Sequence, residues 1–175
     1  MVRHSAGPDD QVPPGIWILV ALGLLPLVTC VALVVAAPAF AAANGAAREG
    51  AVLDIAWSDM AALAVQAFIA YVALMLSFLG GARWGAELVR VPRAPSIARL
   101  VAAMLPPVIG LAALVPWLTS TQAIGLLVAC GLWQLLWDVA ASRSRLLPSW
   151  NARVRTVVTV VGTVCGLLMV LLKPA

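Results

Sequence analysis

The residues of this chain that could carry out chemistry are few and scattered. Its one histidine is His4, near the N-terminus, and its three cysteines, Cys30, Cys130 and Cys165, each lie alone within an apolar run. No HExxH, no GxSxG and no paired carboxylates within apolar runs occur, so the usual metal-dependent, nucleophilic and acid–base sites lack their residues. We therefore expect no metal, no cofactor and no enzymatic activity, and we expect the cysteines to be small buried residues.

The most distinctive polar residue is Arg83, in the stretch SFLGGARWG of residues 77–85. No GK[ST] follows, so a phosphate-binding loop is not expected. On a helix, Glu87 would lie one turn after Arg83 and could pair with it. Asp138 is the only acid at the end of the fourth apolar run, and we hypothesise that Arg83 or a nearby loop arginine pairs with it. Arg83 is then either an anchor at lipid headgroups or a group inside a helix bundle that binds an anion or carboxylate.

Small residues in the same stretch recur at every fourth position, which predicts a helix face that another helix can approach closely. Such faces support helix contacts in lipid, where van der Waals packing replaces the hydrophobic driving force. The fifth apolar run contains a second GxxxG pattern. The residues assigned to these packing faces are Ala73, Ser77, Gly80, Gly81, Gly85, Gly162 and Gly166.

A basic region precedes the last apolar run. Its tryptophan and arginines are typical of interfacial anchors, and they also suit a more specific site for anionic lipid headgroups. The residues assigned to this headgroup site are Arg143, Arg145, Trp150, Arg153 and Arg155.

Composition indicates a membrane protein. Of the 175 residues, 63% are hydrophobic and only 10% are charged, which is too little charge to cover the surface of a water-soluble domain of this size. The net charge of +4 is dispersed, whereas nucleic-acid binding would need a dense basic patch on a soluble element. We expect the lipid bilayer as the environment and no nucleic-acid partner.

Five apolar runs predict an all-α, polytopic bundle of five transmembrane helices. Each is close to the roughly 20 residues that a span requires, although the fourth is shorter. Residues 1–15 are polar and contain proline, which predicts a disordered cytoplasmic lead-in. Residues 16–172 form one membrane domain, with spans at about 16–37, 59–82, 97–117, 122–137 and 156–172.

Two features of the spans leave alternatives open. The sequence APAFAAA follows the first run and resembles a signal-peptidase site, but the run is longer than a signal h-region, so retention as a span is favoured over cleavage. The third run contains Pro106 and Pro107 near its middle. Two prolines free backbone carbonyls that neighbouring helices, hydroxyl side chains or water must satisfy.

The distribution of basic residues predicts the orientation. With the N-terminus in the cytoplasm, the inner segments hold nine arginines and the outer segments hold only Arg48 and Lys173. This asymmetry follows the positive-inside rule and places the C-terminus in the periplasm. Abundant alanine and arginine with a single lysine suggest a GC-rich bacterial genome, and hence the bacterial inner membrane.

Two stretches resemble a known family. YVALMLSFLGGARWG (71–85) and LPSWNARVRTVVTVV (147–161) are similar to an uncharacterised family of small five-span bacterial membrane proteins. That family is itself similar to transmembrane protein 69 of the mitochondrial inner membrane. The resemblance implies a basic residue at position 83 and an aromatic where Asn151 stands here. It implies an architecture and a location but no activity.

Three classes of function are compatible with these features. A structural or accessory protein that packs against a membrane partner, a second copy of itself or anionic lipid fits the small-residue faces best. A small transporter or channel component would need a cavity, which we would expect near Pro106–Pro107 and Arg83. An intramembrane enzyme is the least favoured class, because no catalytic set of residues is present.

Overall fold

The computed structural model describes residues 12–44, 57–89, 94–143 and 149–173. Its elements are five α-helices, and each is long and apolar enough to cross a membrane. This confirms the prediction of an all-α chain with five spans. The helices are α1 (Pro14–Asn44), α2 (Trp57–Leu88), α3 (Ile97–Leu114), α4 (Ser120–Arg143) and α5 (Ser149–Leu172).

Most of these helices are longer than the apolar runs within them. Helix α4 continues to Arg143, and α5 begins at Ser149, so Asp138 and Arg155 lie on helices and not in the predicted loop 138–155. The physical reason is that hydropathy detects only the part of a helix that lies in hydrocarbon, while alanine and arginine extend the helix beyond it. Pro14 begins α1 as a proline can, and residues 1–11 of the predicted lead-in lie outside the described residues.

The third helix is shorter than predicted. It ends at Leu114, and Val115 is extended with ψ 139°, whereas the span was expected to continue to Trp117. Val115 precedes Pro116, and the proline ring disfavours the α conformation of the residue before it. A short turn over 115–119 then connects α3 to α4.

Helix α2 is central in the bundle, where it packs against α1, α3 and α4, while α5 packs against α4 and α1. The core receives buried apolar side chains from every helix, among them Leu27, Phe68, Ala113, Ile124 and Met169. Large apolar side chains also point outward on every helix, for example Leu19, Phe78, Leu111, Leu136 and Leu171. So much outward apolar surface on helices of spanning length is the pattern of a multi-pass membrane protein.

Helices α2 and α3 meet closely at Gly80. Because Pro107 has no N–H, the carbonyl oxygen of Ala103 has no donor within its own helix. A Cβ atom on Gly80 would lie 2.6 Å from that oxygen and 3.1 Å from Cδ of Pro107. The glycine therefore lets the α2 backbone pass against the freed carbonyl, as Cα–H groups do at close helix contacts. One turn on, Gly110 packs in the same way against Ala73.

The predicted packing face is only partly used within the bundle. Ala73 is buried, and the Ser77 hydroxyl donates to its carbonyl oxygen at 2.8 Å. Gly81 and Gly85 are exposed, and nothing lies within 4 Å of the position of a Cβ on either. The glycine that contacts α3 is Gly80, which was assigned to the packing faces but lies one residue away from the four-residue pattern of Gly81 and Gly85. The apolar run alone did not reveal which side of α2 faces the proline pair.

Candidate site at the arginine-rich end

Four helices bring their charged residues to one end of the bundle, which we call the arginine-rich end. It comprises Arg83 and Glu87 near the end of α2, Arg99 at the start of α3, Asp138 near the end of α4 and Arg155 near the start of α5. Successive spans run in opposite directions, so the end of one helix lies beside the start of the next. The connectivity alone therefore collects these groups at the same depth.

Asp138 is the centre of this cluster. Its Oδ1 accepts from Nε of Arg83 at 3.0 Å and lies 2.9 Å from Nη2 of the same side chain. Its Oδ2 accepts from Nε of Arg155 at 2.5 Å. The Asp138 side chain is only 3% exposed, so one buried carboxylate bridges two guanidinium groups and links α2, α4 and α5.

Gln134, one turn before Asp138, completes the cluster. Its backbone oxygen accepts from Nη2 of Arg83 at 2.6 Å, and its side-chain Oε1 accepts from Nη2 of Arg155 at 3.3 Å. Its Nε2 donates to the carbonyl oxygen of Leu76 on α2 at 3.3 Å. The sequence analysis missed Gln134. The available signal was a glutamine inside an apolar run, at helical spacing from the acid.

Glu87 joins α2 to α3. Its Oε1 accepts from the backbone N–H of Ser96 at 2.9 Å, and its Oε2 lies 3.5 Å from Nη1 of Arg99. Sequence spacing suggested a contact along α2 with Arg83. The contacts with Ser96 and Arg99 come from a different element, which helical spacing within α2 does not predict.

A cavity of about 610 Å³ opens beside this cluster. Its lining residues come from α2, α3, α4 and α5. Its charged lining residues are Arg83, Glu87, Arg99, Asp138 and Arg155. Three positive and two negative groups give the wall a formal charge of +1 when all are ionised. Pro106 and Pro107, near which a cavity was expected, do not line it; Ala103, one turn away, does.

One guanidinium nitrogen of Arg83 has no hydrogen-bond partner among the described residues. Its Nε and Nη2 are engaged by Asp138 and Gln134, while its Nη1 is buried without a hydrogen-bond partner among the described residues. The side chain as a whole is 11% exposed. Buried donors are normally satisfied, so a buried guanidinium nitrogen without a partner, on a side chain that lines the cavity, indicates a missing acceptor.

The basic region before the last span is divided by the structure. Arg155 lies in the buried cluster, whereas Arg153 is exposed and Trp150 is half-buried. Arg145 lies outside the described residues, and Arg143 ends α4 with a side chain that is not described. The grouping of all five as one headgroup site therefore does not hold for Arg155, whose helical position turns it toward Asp138.

Comparison with known proteins gives a family. Residues 12–171 match the profile of a family described as protein of unknown function (DUF3429). The chain belongs to the DUF3429 family. No curated protein and no solved structure matches it. The match spans all five helices, so the arginine-rich end lies within the DUF3429 domain and not in an appended segment.

The DUF3429 chain has few other groups capable of chemistry. Its three cysteines are buried, unpaired in disulfides and carried by different helices. Within the described ranges, no three His, Cys, Asp or Glu side chains converge as metal ligands would. The expectations of no metal, no cofactor and no enzymatic activity stay predictions. The guanidinium groups of the described cluster can donate hydrogen bonds to an anion.

Proposed function

We propose that this DUF3429 protein is a non-enzymatic accessory protein of the membrane that holds an anionic group in the cavity at its arginine-rich end. The observation that carries the proposal is the bridged pair of arginines. Arg83 and Arg155 share a single carboxylate on Asp138. One positive charge at the buried wall of the cavity is therefore left without an equal counter-charge.

Burial makes this imbalance energetically important. A charge removed from water is stabilised only when it is paired and hydrogen-bonded, because the effective desolvation penalty reaches several kcal/mol per ion. Glu87 already interacts with Arg99 and with the N–H of Ser96, so its carboxylate is committed to α3. An anion from outside the chain would supply the missing charge and an acceptor for Arg83.

The position of the cavity favours binding over transport. On α2 its lining residues begin at Phe78 and end at Glu87, so the cavity lies toward one end of that helix. A transport path usually has ionisable groups near the middle of the membrane. The described middle of α2 contributes Gln66, which is exposed, and Tyr71, whose hydroxyl donates to the Gly23 carbonyl at 2.6 Å.

We further propose a location in a bacterial inner membrane with the arginine-rich end in the cytoplasm. The nine-to-two asymmetry of basic residues supports this orientation. The resemblance to transmembrane protein 69 agrees with it, since the mitochondrial inner membrane corresponds to the bacterial one. In this orientation the cavity faces the anionic cytoplasmic leaflet.

The test is anion-dependent stabilisation of the purified full chain in a neutral detergent. Thermal unfolding is followed while inorganic phosphate, sulfate or an anionic phospholipid is added, since a ligand that binds only the folded state raises its stability. We expect at least one of them to raise the unfolding temperature of the wild-type protein, and Arg83→Gln to abolish the rise.

The matched control is Arg153→Gln, which removes the same charge from an exposed position of α5. We expect this variant to respond as the wild type does. If none of the anions stabilises the wild-type protein, or if Arg153→Gln loses the response as fully as Arg83→Gln, the cavity is not an anion site and the proposal fails.

A further inference from the structure

We propose that the anion is the phosphate group of a membrane lipid, which enters the cavity sideways and places its phosphate against Arg83. This inference rests on the proposed function and specifies the ligand class. Guanidinium groups bind phosphate oxygens with charge-assisted hydrogen bonds in a fixed fork geometry. Arg83, whose Nη1 has no hydrogen-bond partner among the described residues, and Arg99 both line the cavity and offer donors of this kind.

The cavity has an apolar side that opens on the lipid-facing surface. Phe78 lines it and is nevertheless 70% exposed, so the same side chain contacts the cavity and the surroundings of the bundle. Ala82 and Ala86 follow on the same side of α2 and are also exposed. An opening of this composition admits an acyl chain, whereas a soluble anion needs no apolar wall.

Small side chains keep this opening wide. The alanines that line the cavity come from three helices, namely Ala82, Ala86, Ala102, Ala103, Ala140 and Ala141. With a volume of about 610 Å³, the cavity is larger than a single anion requires, and it leaves space for apolar atoms of the same ligand.

Asp138 and Arg155 act as positioning residues in this arrangement. Asp138 accepts from the Nε and Nη2 edge of Arg83, which fixes the plane of the guanidinium and leaves Nη1 for the ligand. Arg155 binds the second oxygen of the carboxylate and prevents Asp138 from neutralising Arg83 fully. The cluster therefore both orients the binding group and preserves its charge.

The deciding experiment compares three additives on the delipidated full chain in neutral detergent: dioleoyl phosphatidylglycerol, inorganic phosphate and dioleoylglycerol. They carry, respectively, phosphate with chains, phosphate alone and chains alone. We expect phosphatidylglycerol to raise the unfolding temperature at concentrations at least tenfold below those at which phosphate acts, and dioleoylglycerol to have no effect. Arg83→Gln should weaken the response to phosphatidylglycerol about tenfold or more.

The outcomes separate this inference from the proposed function. If phosphate is as effective as phosphatidylglycerol, the ligand is a free anion; the lipid inference is then overturned while the proposed function stands. If dioleoylglycerol is as effective, or if no additive stabilises the protein, both proposals are overturned.

A second pair of variants tests sideways entry without touching the charged cluster. Ala82→Phe fills the opening beside Arg83, whereas Ala67→Phe adds the same bulk to an exposed alanine of α2 that does not line the cavity. Both variants should elute as folded monodisperse protein. We expect Ala82→Phe alone to lose stabilisation by phosphatidylglycerol. An unchanged response of Ala82→Phe would contradict entry through this opening.

Discussion

Arg83 uses one edge of its guanidinium for Asp138 and Gln134 and leaves Nη1 without a described partner. This division of donors is what separates it from a simple interfacial anchor, whose head would lie in water. At the level of the residue, the question left by the sequence was whether Arg83 faces lipid headgroups or the bundle. The geometry shows both a carboxylate within the bundle and an open donor at a cavity wall.

Removing the charge of Asp138 should destabilise the fold strongly. Asp138→Asn keeps the shape of the side chain but leaves Arg83 and Arg155 buried without their counter-charge, which costs about 3–5 kcal/mol for a buried pair. Equilibrium unfolding in mixed detergent micelles measures the loss. Asp59→Asn, at an exposed site in the first turn of α2, should cost less than about 1 kcal/mol.

An equal loss in the two variants would contradict a central role for the Asp138 carboxylate. A double reversal, Arg83→Asp with Asp138→Arg, is a weaker test because Arg155 would then face a second arginine. The sequence suggested either Arg83 or a loop arginine as the partner of Asp138, whereas in the structure Arg83 and Arg155 both bind it.

At the level of the element, the contact of α2 with α3 depends on Gly80 and Pro107, which lie against each other across the interface. Pro107 removes the donor for the Ala103 carbonyl, and Gly80 brings the α2 backbone against it. Pro106 and Pro107 do not line the cavity at the arginine-rich end, and Pro107 is part of a close helix pair. Gly110 against Ala73 continues the same interface.

Gly80→Ala should therefore be damaging although it adds a single methyl group. Its Cβ would lie 2.6 Å from a backbone oxygen, so the helices must separate, with an expected cost of about 1–3 kcal/mol. Gly81→Ala is the matched control. Nothing lies near its Cβ position, and the better helix propensity of alanine makes it neutral or slightly stabilising.

Unfolding curves for the two variants, measured side by side, check the register of α2 against α3. If Gly81→Ala is the damaging one, the face of α2 toward α3 is rotated by about 100° from that described here, since one residue turns a helix by that angle.

These elements also show what the sequence could and could not predict. Five apolar runs were enough to predict the helices. The similar depth of Arg83 and Asp138 suggested that they could pair but left a loop arginine as an alternative, because hydropathy gives span direction and depth only. The rotation of each helix about its axis was not predictable. The four-residue pattern indicated Gly81 and Gly85, whereas Gly80 makes the contact with α3. The contacts of Gln134, and the contact of Glu87 with Arg99, depend on the same helix rotation.

For the whole molecule, the charged groups of the cluster around Asp138 lie at one end of the bundle, and the orientation of the bundle decides which compartment that end faces. We expect the C-terminus outside the cytoplasm. Alkaline phosphatase fused after Ala175 should be active and a green fluorescent protein fused there dark, because each reporter works on only one side of the inner membrane. The same two reporters fused after Asn44 control for span count, and should match the C-terminal result.

An active fluorescent fusion at Ala175 would reverse the orientation and place the cavity in the periplasm. Opposite results at Asn44 and Ala175 would indicate an odd number of spans between the two points. Both signals at each site would indicate two populations of the protein with opposite orientations.

The cluster around Asp138 joins residues that are synthesised far apart in time. Arg83 and Asp138 are separated by 55 residues, and Arg155 follows 17 residues after Asp138. During synthesis, Arg83 therefore enters the membrane three helices before the cluster can close. Its place near the end of α2 lets the long side chain reach the headgroup region in the meantime. The complete cluster can therefore form only after α5 has inserted, and it then links α2 to α4 and α5.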